Sequence, residues 1–284
     1  MEDKVGLIVE GGGFKSAFTA GVLDAFLALE FYPFNILVGI SGGALNLSSF
    51  LSRQYKRNIE IIQKVGNDTS FISIARYLKG GDYMNLDRLI NLAQKSNPLN
   101  METFLRTLKN KTFYVVVTDV ENGKPLYLEI NEGILLKALK ATSSIPMLAR
   151  DFNTIDGKKV VDGGFSDPLP VKWSYSRGIK KIIIIRTHPE EYEAEWNLTN
   201  LVESLFYKQY PKFKKLLEEN HSIYKKTMEF IKAPPSDLEV IQIAPENDLL
   251  CTTISQSDKD IINDYRHGLD KGLDFIKGNK LSSP

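Results

Sequence analysis

The sequence of 284 residues is poor in features that define several protein classes, beginning with cysteine and an excess of charge of one sign. It contains one cysteine, Cys251, so no intramolecular disulfide can form and no metal site can be built from several cysteines. It has no excess charge of one sign, because 36 Lys and Arg residues balance 35 Asp and Glu residues to a formal net charge of +1. Proteins that bind nucleic acid through electrostatics normally carry a clear basic excess, so the composition argues against such a partner.

Long apolar runs are scarce too. The first run, from Val5 to Val9, is shorter than the apolar core of a signal peptide, which takes about 7 to 15 residues. No stretch comes near the roughly 18 apolar residues of a membrane-spanning helix. These absences, with a single cysteine that fits a reducing compartment, predict a cytoplasmic protein. Peripheral contact with a membrane surface stays open.

Short apolar stretches alternate with helical patterns along the chain. Val5 to Val9 and Asn35 to Ile40 are typical of buried strands, and a glycine-rich turn and a helical pattern follow each of them. Further strands are predicted at 113–118, 126–130, 160–162, 181–186 and 239–243, with helices at 42–53, 131–142 and 258–276 and a mostly helical stretch at 56–109. Strands and helices in alternation indicate an α/β domain with a mainly parallel sheet.

The segment from Glu190 to Pro235 differs in composition, with many Lys, Tyr and Phe residues and one or two predicted long helices. It is either a helical insertion or cap on the α/β core or an ordinary part of the outer layer. Its apolar residues could form one face of a basic amphipathic stretch that rests on an anionic membrane. These are Leu201, Leu205, Phe206, Tyr210 and Phe213. The competing interpretation is a helix that packs on the core and exposes its lysines.

A nucleophile candidate lies at the end of the second predicted strand. The run Gly39-Ile40-Ser41-Gly42-Gly43 fits Gly-x-Ser-x-Gly, in which small residues on both sides allow the serine to occupy a sharp strand-to-helix turn. The following helix would bring backbone N–H groups and a positive dipole end close to the serine oxygen. The alternative is a glycine-rich turn in which Ser41 only caps the helix.

A glycine cluster, Gly11-Gly12-Gly13, follows the first strand. A dinucleotide-binding Gly-x-Gly-x-x-Gly fails at Ser16, and a phosphate-binding P-loop fails because Val9 and Phe14 stand where glycine is needed. The remaining interpretation is an oxyanion hole, because consecutive glycines at a strand end let several N–H groups converge on one oxygen.

A serine hydroxyl needs a base, and the chain has three histidines, His188, His221 and His267. Of these, His188 follows the predicted strand at 181–186 and could complete a triad. Asp162 is the stronger candidate, because it ends a strand and the glycines behind it allow the backbone to bring its carboxylate to the sheet edge as a general base.

Two other aspartates are also candidates for the base. Asp119 ends the predicted strand at 113–118 and is a rival of Asp162. Asp156, followed by Gly157, is interpreted as part of a hairpin turn, because Asp-Gly pairs favour such turns.

In their order along the chain, these motifs resemble the patatin-like phospholipase family, in particular its bacterial cytosolic members. The segments that carry the resemblance are the glycine triplet with Lys15, Gly-x-Ser-x-Gly at 39–43, Thr118-Asp119, the Ala-Thr-Ser-Ser-Ile-Pro run at 141–146, and Asp162-Gly163-Gly164 followed by Asp167 and Pro168. The resemblance covers residues 5 to about 185 and is expected to extend to the closing helix at 258–276, whereas the segment 190–235 has no recognised motif. An elbow after only the second strand also leaves little room for an α/β-hydrolase, in which several strands precede it.

The resemblance implies a three-layer α/β/α sandwich with a mainly parallel sheet, formed as a single domain over residues 1–284. Ser41 would be the nucleophile and Asp162 the base of a Ser–Asp dyad that uses no metal and no cofactor. The oxyanion hole would lie at Gly11, Gly12, Gly13 and Phe14, and the supporting positions would be Lys15, Gly39, Gly42, Gly43, Gly163 and Gly164. Ser16 departs from the family's usual glycine after the basic residue, which puts the geometry of this turn in question.

The expected function is therefore that of a serine acyl hydrolase of lipid esters, of phospholipase A or lysophospholipase type, with a lipid or acyl ester as its partner. One alternative is a His-dependent esterase or thioesterase, in which His188→Ala abolishes activity where the dyad predicts little change. Another is a non-enzymatic regulator that binds an anion or nucleotide and whose Ser41 is not labelled by a fluorophosphonate. The sequence leaves the oligomeric state, the head group and the acyl chain open.

Overall fold

The computed structural model describes residues 4–194 and 206–278 of the chain. Eight strands form one mixed sheet: β1 Val5–Val9, β2 Ile36–Gly39, β3 Thr112–Asp119, β4 Lys124–Glu129, β5 Asn153–Ile155, β6 Lys158–Asp162, β7 Lys181–Ile185 and β8 Glu239–Ile243. The order across the sheet is β5-β6-β3-β2-β1-β7-β8, with β4 paired to β3 beside this path. The run β3-β2-β1-β7-β8 is parallel throughout, as the sequence predicts.

Ten α-helices occur in the described residues: α1 Ser16–Ala28, α2 Gly42–Leu51, α3 Arg57–Gly66, α4 Ile74–Leu78, α5 Leu86–Ser96, α6 Met101–Leu108, α7 Leu135–Thr142, α8 Val171–Ser176, α9 Pro211–Lys232 and α10 Asp258–Gly278. Short 3-10 turns at Gly13–Lys15 and Gly163–Phe165 follow β1 and β6. The predicted helix at 131–142 begins only at Leu135, because the Asn131 side chain accepts the Gly133 N–H and forms a turn there.

The two faces of the sheet carry separate apolar layers, so the predicted three-layer sandwich is confirmed. On β1, Leu7 and Val9 point to a layer that includes Phe18 of α1 and Leu47 of α2. Ile8 points to the opposite layer, where it meets residues of α8 and α9. This alternation is the two-residue period of a strand that is covered on both sides.

The segment that differs in composition is described only in part. Residues 195–205, with Leu201 and Leu205, lie outside the described ranges. The rest forms α9, whose residues Tyr224, Met228 and Ile231 pack against the sheet, and Phe213 is fully buried. The α9 part therefore contributes to the outer layer and the core.

Two strands, β2 and β6, end next to each other along one edge of β3. β2 runs parallel to β3 as far as Val115, and β6 runs antiparallel to it from Asp162 opposite Val117. Because β4 occupies the other edge of β3 over this length, the carboxyl ends of β2 and β6 meet head to head. Residues just beyond Gly39 and at Asp162 are therefore neighbours. Within 4–194 and 206–278, no helix has both the length and the apolar character that crossing a membrane requires.

Candidate active site

Ser41 occupies the sharp turn between β2 and α2. Its φ of +50° and ψ of −127° are unusual for a residue with a side chain, and strained backbone of this kind concentrates at functional sites. The turn is held by a hydrogen bond of 2.9 Å from the Ser41 N–H to the Thr142 hydroxyl, which in turn donates to the Val116 carbonyl. Ser41 stands at the N-cap position of α2, but its side chain makes no capping hydrogen bond, so a capping role does not account for the side chain.

Glycine is required on both sides of this serine. A Cβ on Gly39 would lie 2.5 Å from the Cα of Ala44, and one on Gly43 would lie 2.4 Å from the Val9 carbonyl oxygen. Gly42 packs more loosely, with its Cβ position 3.1 Å from the Cβ of Ser16. The small hydroxymethyl group of Ser16 therefore fits where the family usually has glycine.

Asp162 is buried beside Ser41. Its Oδ1 accepts the Gly164 N–H at 2.8 Å. A Cβ on Gly163 would lie 2.3 Å from the Val116 carbonyl oxygen, so a larger residue does not fit at position 163. Burial raises the pKa of Asp162 from its ordinary 3.8 to about 6, and hydrogen bonds from Gly164 and the Ser41 hydroxyl offset part of this rise. The two predicted catalytic side chains are thus brought into contact.

The glycine turn after β1 lies against the serine. A Cβ on Gly11 would lie 3.0 Å from the Cβ of Ser41, so a larger residue there would push against the serine. Gly13 has φ +56°, and a Cβ there would lie 2.0 Å from the Thr253 carbonyl oxygen. That same oxygen accepts the Phe14 N–H at 3.4 Å. Among the described residues, the N–H groups of Gly11 and Gly12 have no such acceptor.

An apolar cavity opens beside Ser41 and the glycine turn. Its volume is about 110 Å³. The walls come mainly from α2, α3, α5 and α7 and the loops between them. Apolar residues that line it include Leu45, Ile61, Phe71, Met84, Leu86 and Leu139. A cavity with this apolar lining suits an aliphatic chain.

A family model for patatin-like phospholipases matches residues 7–172, which is more than half of the chain. The chain belongs to the patatin-like phospholipase family. Membership makes it a lipid acyl hydrolase, and the α/β fold described above is the fold expected for the family. A second model, for a domain of unknown function (DUF6363), matches residues 210–280 of this patatin-like protein.

A curated relative of this patatin-like protein is the uncharacterized protein YjjU of Escherichia coli K12. The two are 30% identical over 276 residues, which cover 96% of this chain and 77% of YjjU. This chain is also similar to the solved structure of VipD of Legionella pneumophila. The TM-score is 0.48 and the identity 14%, and the match covers 98% of this chain and 67% of VipD.

Human GIVD cytosolic phospholipase A2 is similar to the same degree, with a TM-score of 0.48, 12% identity, and coverage of 95% of this chain and 57% of the human chain. This patatin-like chain thus spans little more than half the length of that structure. Both likenesses are too weak to transfer a residue or a substrate.

His188 does not pair with Ser41 in this patatin-like site. Its Nε2 lies 2.9 Å from the Lys15 ammonium and its Nδ1 lies 3.1 Å from Oε1 of Glu10. Burial raises the pKa of Glu10, but its interactions with His188 and Arg186 and the hydrogen bond from the Thr187 N–H outweigh this rise and lower that pKa to about 2. Both ring nitrogens of His188 therefore interact with the side chains of Lys15 and Glu10 and not with Ser41.

The remaining candidates for the base lie in structural roles. His267 of α10 pairs with Glu246, and His221 lies on α9. The Asp119 carboxylate accepts the N–H groups of Glu121 and Asn122 and so shapes the turn between β3 and β4. Asp156, with φ +48°, forms the turn between β5 and β6, as predicted.

Several residues around the site escape sequence reasoning. Glu10 precedes the glycine cluster, and its position next to that motif is the one signal that could have identified it. Thr187, Tyr224 and Thr253 come from distant segments with no motif of their own. Their proximity to the glycine turn follows from the fold alone. Within the described ranges, no three His, Cys, Asp or Glu side chains converge on a position for a metal ion.

Proposed function

We propose that this protein hydrolyses lipid esters, as a phospholipase A or lysophospholipase, with Ser41 as nucleophile and Asp162 as base. The observation that carries the proposal is the contact between Ser41, held at φ +50°, and the buried carboxyl group of Asp162 at the mouth of an apolar cavity. A residue at positive φ, a buried carboxyl group and an apolar cavity can each occur in a protein for structural reasons alone. Their coincidence on one serine is what a lipid acyl hydrolase needs.

The first half of the reaction forms an acyl-enzyme. Asp162 accepts the proton of the Ser41 hydroxyl as the serine oxygen attacks the ester carbonyl carbon. The tetrahedral intermediate collapses when the leaving alcohol takes that proton from Asp162, and the acyl group stays on Ser41. In the second half, Asp162 accepts a proton from water, whose oxygen attacks the acyl carbonyl. The fatty acid then leaves, and the proton returns to the Ser41 oxygen.

The glycine turn would stabilise the negative oxygen of each tetrahedral intermediate. The N–H groups of Gly11 and Gly12 have no acceptor among the described residues, and Gly11 lies directly against Ser41. A backbone donor aimed at a developing oxyanion contributes about 3 to 4 kcal/mol to transition-state binding in measured cases. The Phe14 N–H already faces the Thr253 carbonyl, so we assign it a smaller part than Gly11 and Gly12.

The acyl chain would enter the apolar cavity. Leu45 lies one turn along α2 from Ser41, so the cavity wall begins at the nucleophile. Removing apolar surface from water contributes about 0.8 kcal/mol for each buried methylene group. We therefore expect kcat/KM to increase with acyl chain length until the cavity is full.

The test is hydrolysis of a short-chain and a long-chain ester by the wild type and two variants. Ser41→Ala and Asp162→Asn are each expected to lose at least about a thousandfold in kcat, because nucleophile and base act as one unit. Ser52→Ala, directly after the same helix and outside the cavity, is the matched control for serine, and Asp119→Asn tests the rival aspartate. Full activity in Ser41→Ala would contradict the proposal.

A further inference from the structure

His188 bridges the two residues that flank the glycine turn. Glu10 directly precedes Gly11, and Lys15 closes the 3-10 turn that follows. The His188 ring lies between them, with its Nδ1 at 3.1 Å from Glu10 and its Nε2 at 2.9 Å from the Lys15 ammonium. The three side chains form a clamp, Glu10–His188–Lys15, across the base of the turn.

The donors and acceptors of this clamp can be assigned. A lysine ammonium has three N–H donors and no acceptor, so Nε2 of His188 accepts from Lys15. The ring proton is then on Nδ1 and donates to the Glu10 carboxylate. A neutral imidazole thus joins one positive and one negative side chain. Its basic nitrogen is occupied, which leaves no lone pair to accept the Ser41 proton.

The clamp is anchored from two further elements. Thr187, beside His188, donates its N–H to Oε2 of Glu10 at 2.7 Å and its hydroxyl to the Gly11 carbonyl at 2.6 Å. Tyr224 of α9 donates its hydroxyl to Oε1 of Glu10 at 2.9 Å. Glu10 is only 3% exposed, so its carboxylate depends on these partners in place of water.

We propose that His188 and Tyr224 are positioning residues that hold Glu10 and Lys15, and through them the Gly11 and Gly12 N–H groups, at the place where the oxyanion forms. The inference rests on the function proposed above. Glycines have no side chains to fix their own orientation, so a turn made of them takes its shape from what flanks it. It also gives a role in the active site to the 210–280 region, because Tyr224 lies within it.

The decisive comparison is between His188→Ala and His188→Gln. A glutamine amide can accept from Lys15 and donate to Glu10, but it cannot act as a base. We expect His188→Ala to lose 10- to 100-fold in kcat with KM within about twofold of wild type, because misplaced donors weaken transition-state binding. We expect His188→Gln to recover most of that loss. Tyr224→Phe is expected to lower kcat by a smaller factor, since it removes one of several bonds to Glu10.

His267→Ala is the matched control, because His267 forms a His–carboxylate pair with Glu246 on the surface, away from the turn. Unchanged kcat in both His188→Ala and Tyr224→Phe, or an effect confined to KM, would overturn the inference and leave the proposed function intact. A His188→Gln variant as inactive as Ser41→Ala would overturn it in favour of a His-dependent triad. If wild type hydrolyses no ester in the panel, the proposed function fails and the inference fails with it. If His188→Ala does not fold, His188→Gln and Tyr224→Phe decide the matter by the same criteria.

Discussion

At the scale of single residues, the proposed role of Asp162 as base predicts the pH range in which the site works. Its carboxyl group must be ionised to accept the serine proton, and burial raises its pKa to about 6. We expect kcat/KM for a soluble ester to rise tenfold per pH unit below about pH 6 and to level off above it. A pH profile of wild type measures this. An acid limb near pH 4, the ordinary range of an exposed aspartate, would contradict it.

The same burial costs stability. The folded protein binds the Asp162 proton more tightly than the unfolded chain does, so stability falls as pH rises from 3.8 to about 6 and the loss stays constant above that. A shift of this size corresponds to about 3 kcal/mol. We expect Asp162→Asn to be more stable than wild type at pH 7.5, with the advantage shrinking as pH falls toward 4. Denaturant unfolding at both pH values checks this, and an advantage that grows toward pH 4 would contradict it.

At the scale of elements, α1 and α10 approach so closely that glycine is needed where they cross. A Cβ on Gly268 of α10 would lie 1.9 Å from the Phe18 carbonyl oxygen, and one on Gly21 of α1 would lie 2.0 Å from the Tyr265 carbonyl oxygen. The last glycine of α10, Gly278, has no atom within 4 Å of its Cβ position.

We therefore expect Gly268→Ala to destabilise the protein by about 2 kcal/mol or more, because overpacking forces the two helices apart. In an open helix position the same substitution would instead stabilise by up to about 1 kcal/mol. Gly278→Ala is the control and is expected to change stability by less than about 0.5 kcal/mol. Thermal or denaturant unfolding of both variants distinguishes packing from propensity. Equal effects would contradict the account of the crossing.

Elements with local signals could be predicted from the sequence. β1, the serine elbow and the hairpin at Asp156 depend on neighbouring residues, so glycine spacing and apolar runs suffice to find them. The meeting of β2 and β6 along one edge of β3 could be expected only through the family resemblance, since antiparallel β6 breaks the parallel pattern. The contacts of Tyr224 and Thr253 join residues more than 200 positions apart, and no local pattern encodes them.

At the scale of the whole molecule, the described part of the 210–280 region packs against the elements that carry the candidate site. Its α10 packs on α1, its Tyr224 holds Glu10, and its Thr253 carbonyl accepts from the turn that follows the glycines. The Asp264 carboxylate of α10 also accepts the Cys251 N–H, which fixes the loop that carries Thr253. These contacts support the proposal that the chain forms one domain.

Exposed apolar residues on α4 form a tip that we predict to contact lipid. Ile74 and Leu78, one turn apart on α4, are 64% and 79% exposed. Two arginines hold α4 and its flanking residues in place. Arg76 donates to four backbone carbonyls and Arg150 donates to two. Exposed Lys79 adds a further positive charge beside the tip. Exposed apolar residues next to cationic residues are typical of surfaces that bind anionic membranes.

We expect the Ser41→Ala protein to bind vesicles that contain anionic lipid and to lose binding as salt increases. Adding Ile74→Ser and Leu78→Ser is expected to lower the bound fraction at least threefold, whereas Leu29→Ser, at another exposed leucine, is not. Sedimentation with vesicles measures this without any hydrolysis. Equal binding to neutral vesicles, or no effect of the α4 changes, would contradict it.

Covalent labelling is a direct test of whether Asp162 activates Ser41. A fluorophosphonate forms a bond from the serine oxygen to phosphorus and releases fluoride, so it reports an activated serine without requiring the natural substrate. We predict rapid labelling of wild type and of His188→Gln, no labelling of Ser41→Ala, and labelling slowed at least a hundredfold in Asp162→Asn. Labelling of Asp162→Asn at the wild-type rate, or none of the folded wild type, would contradict the account.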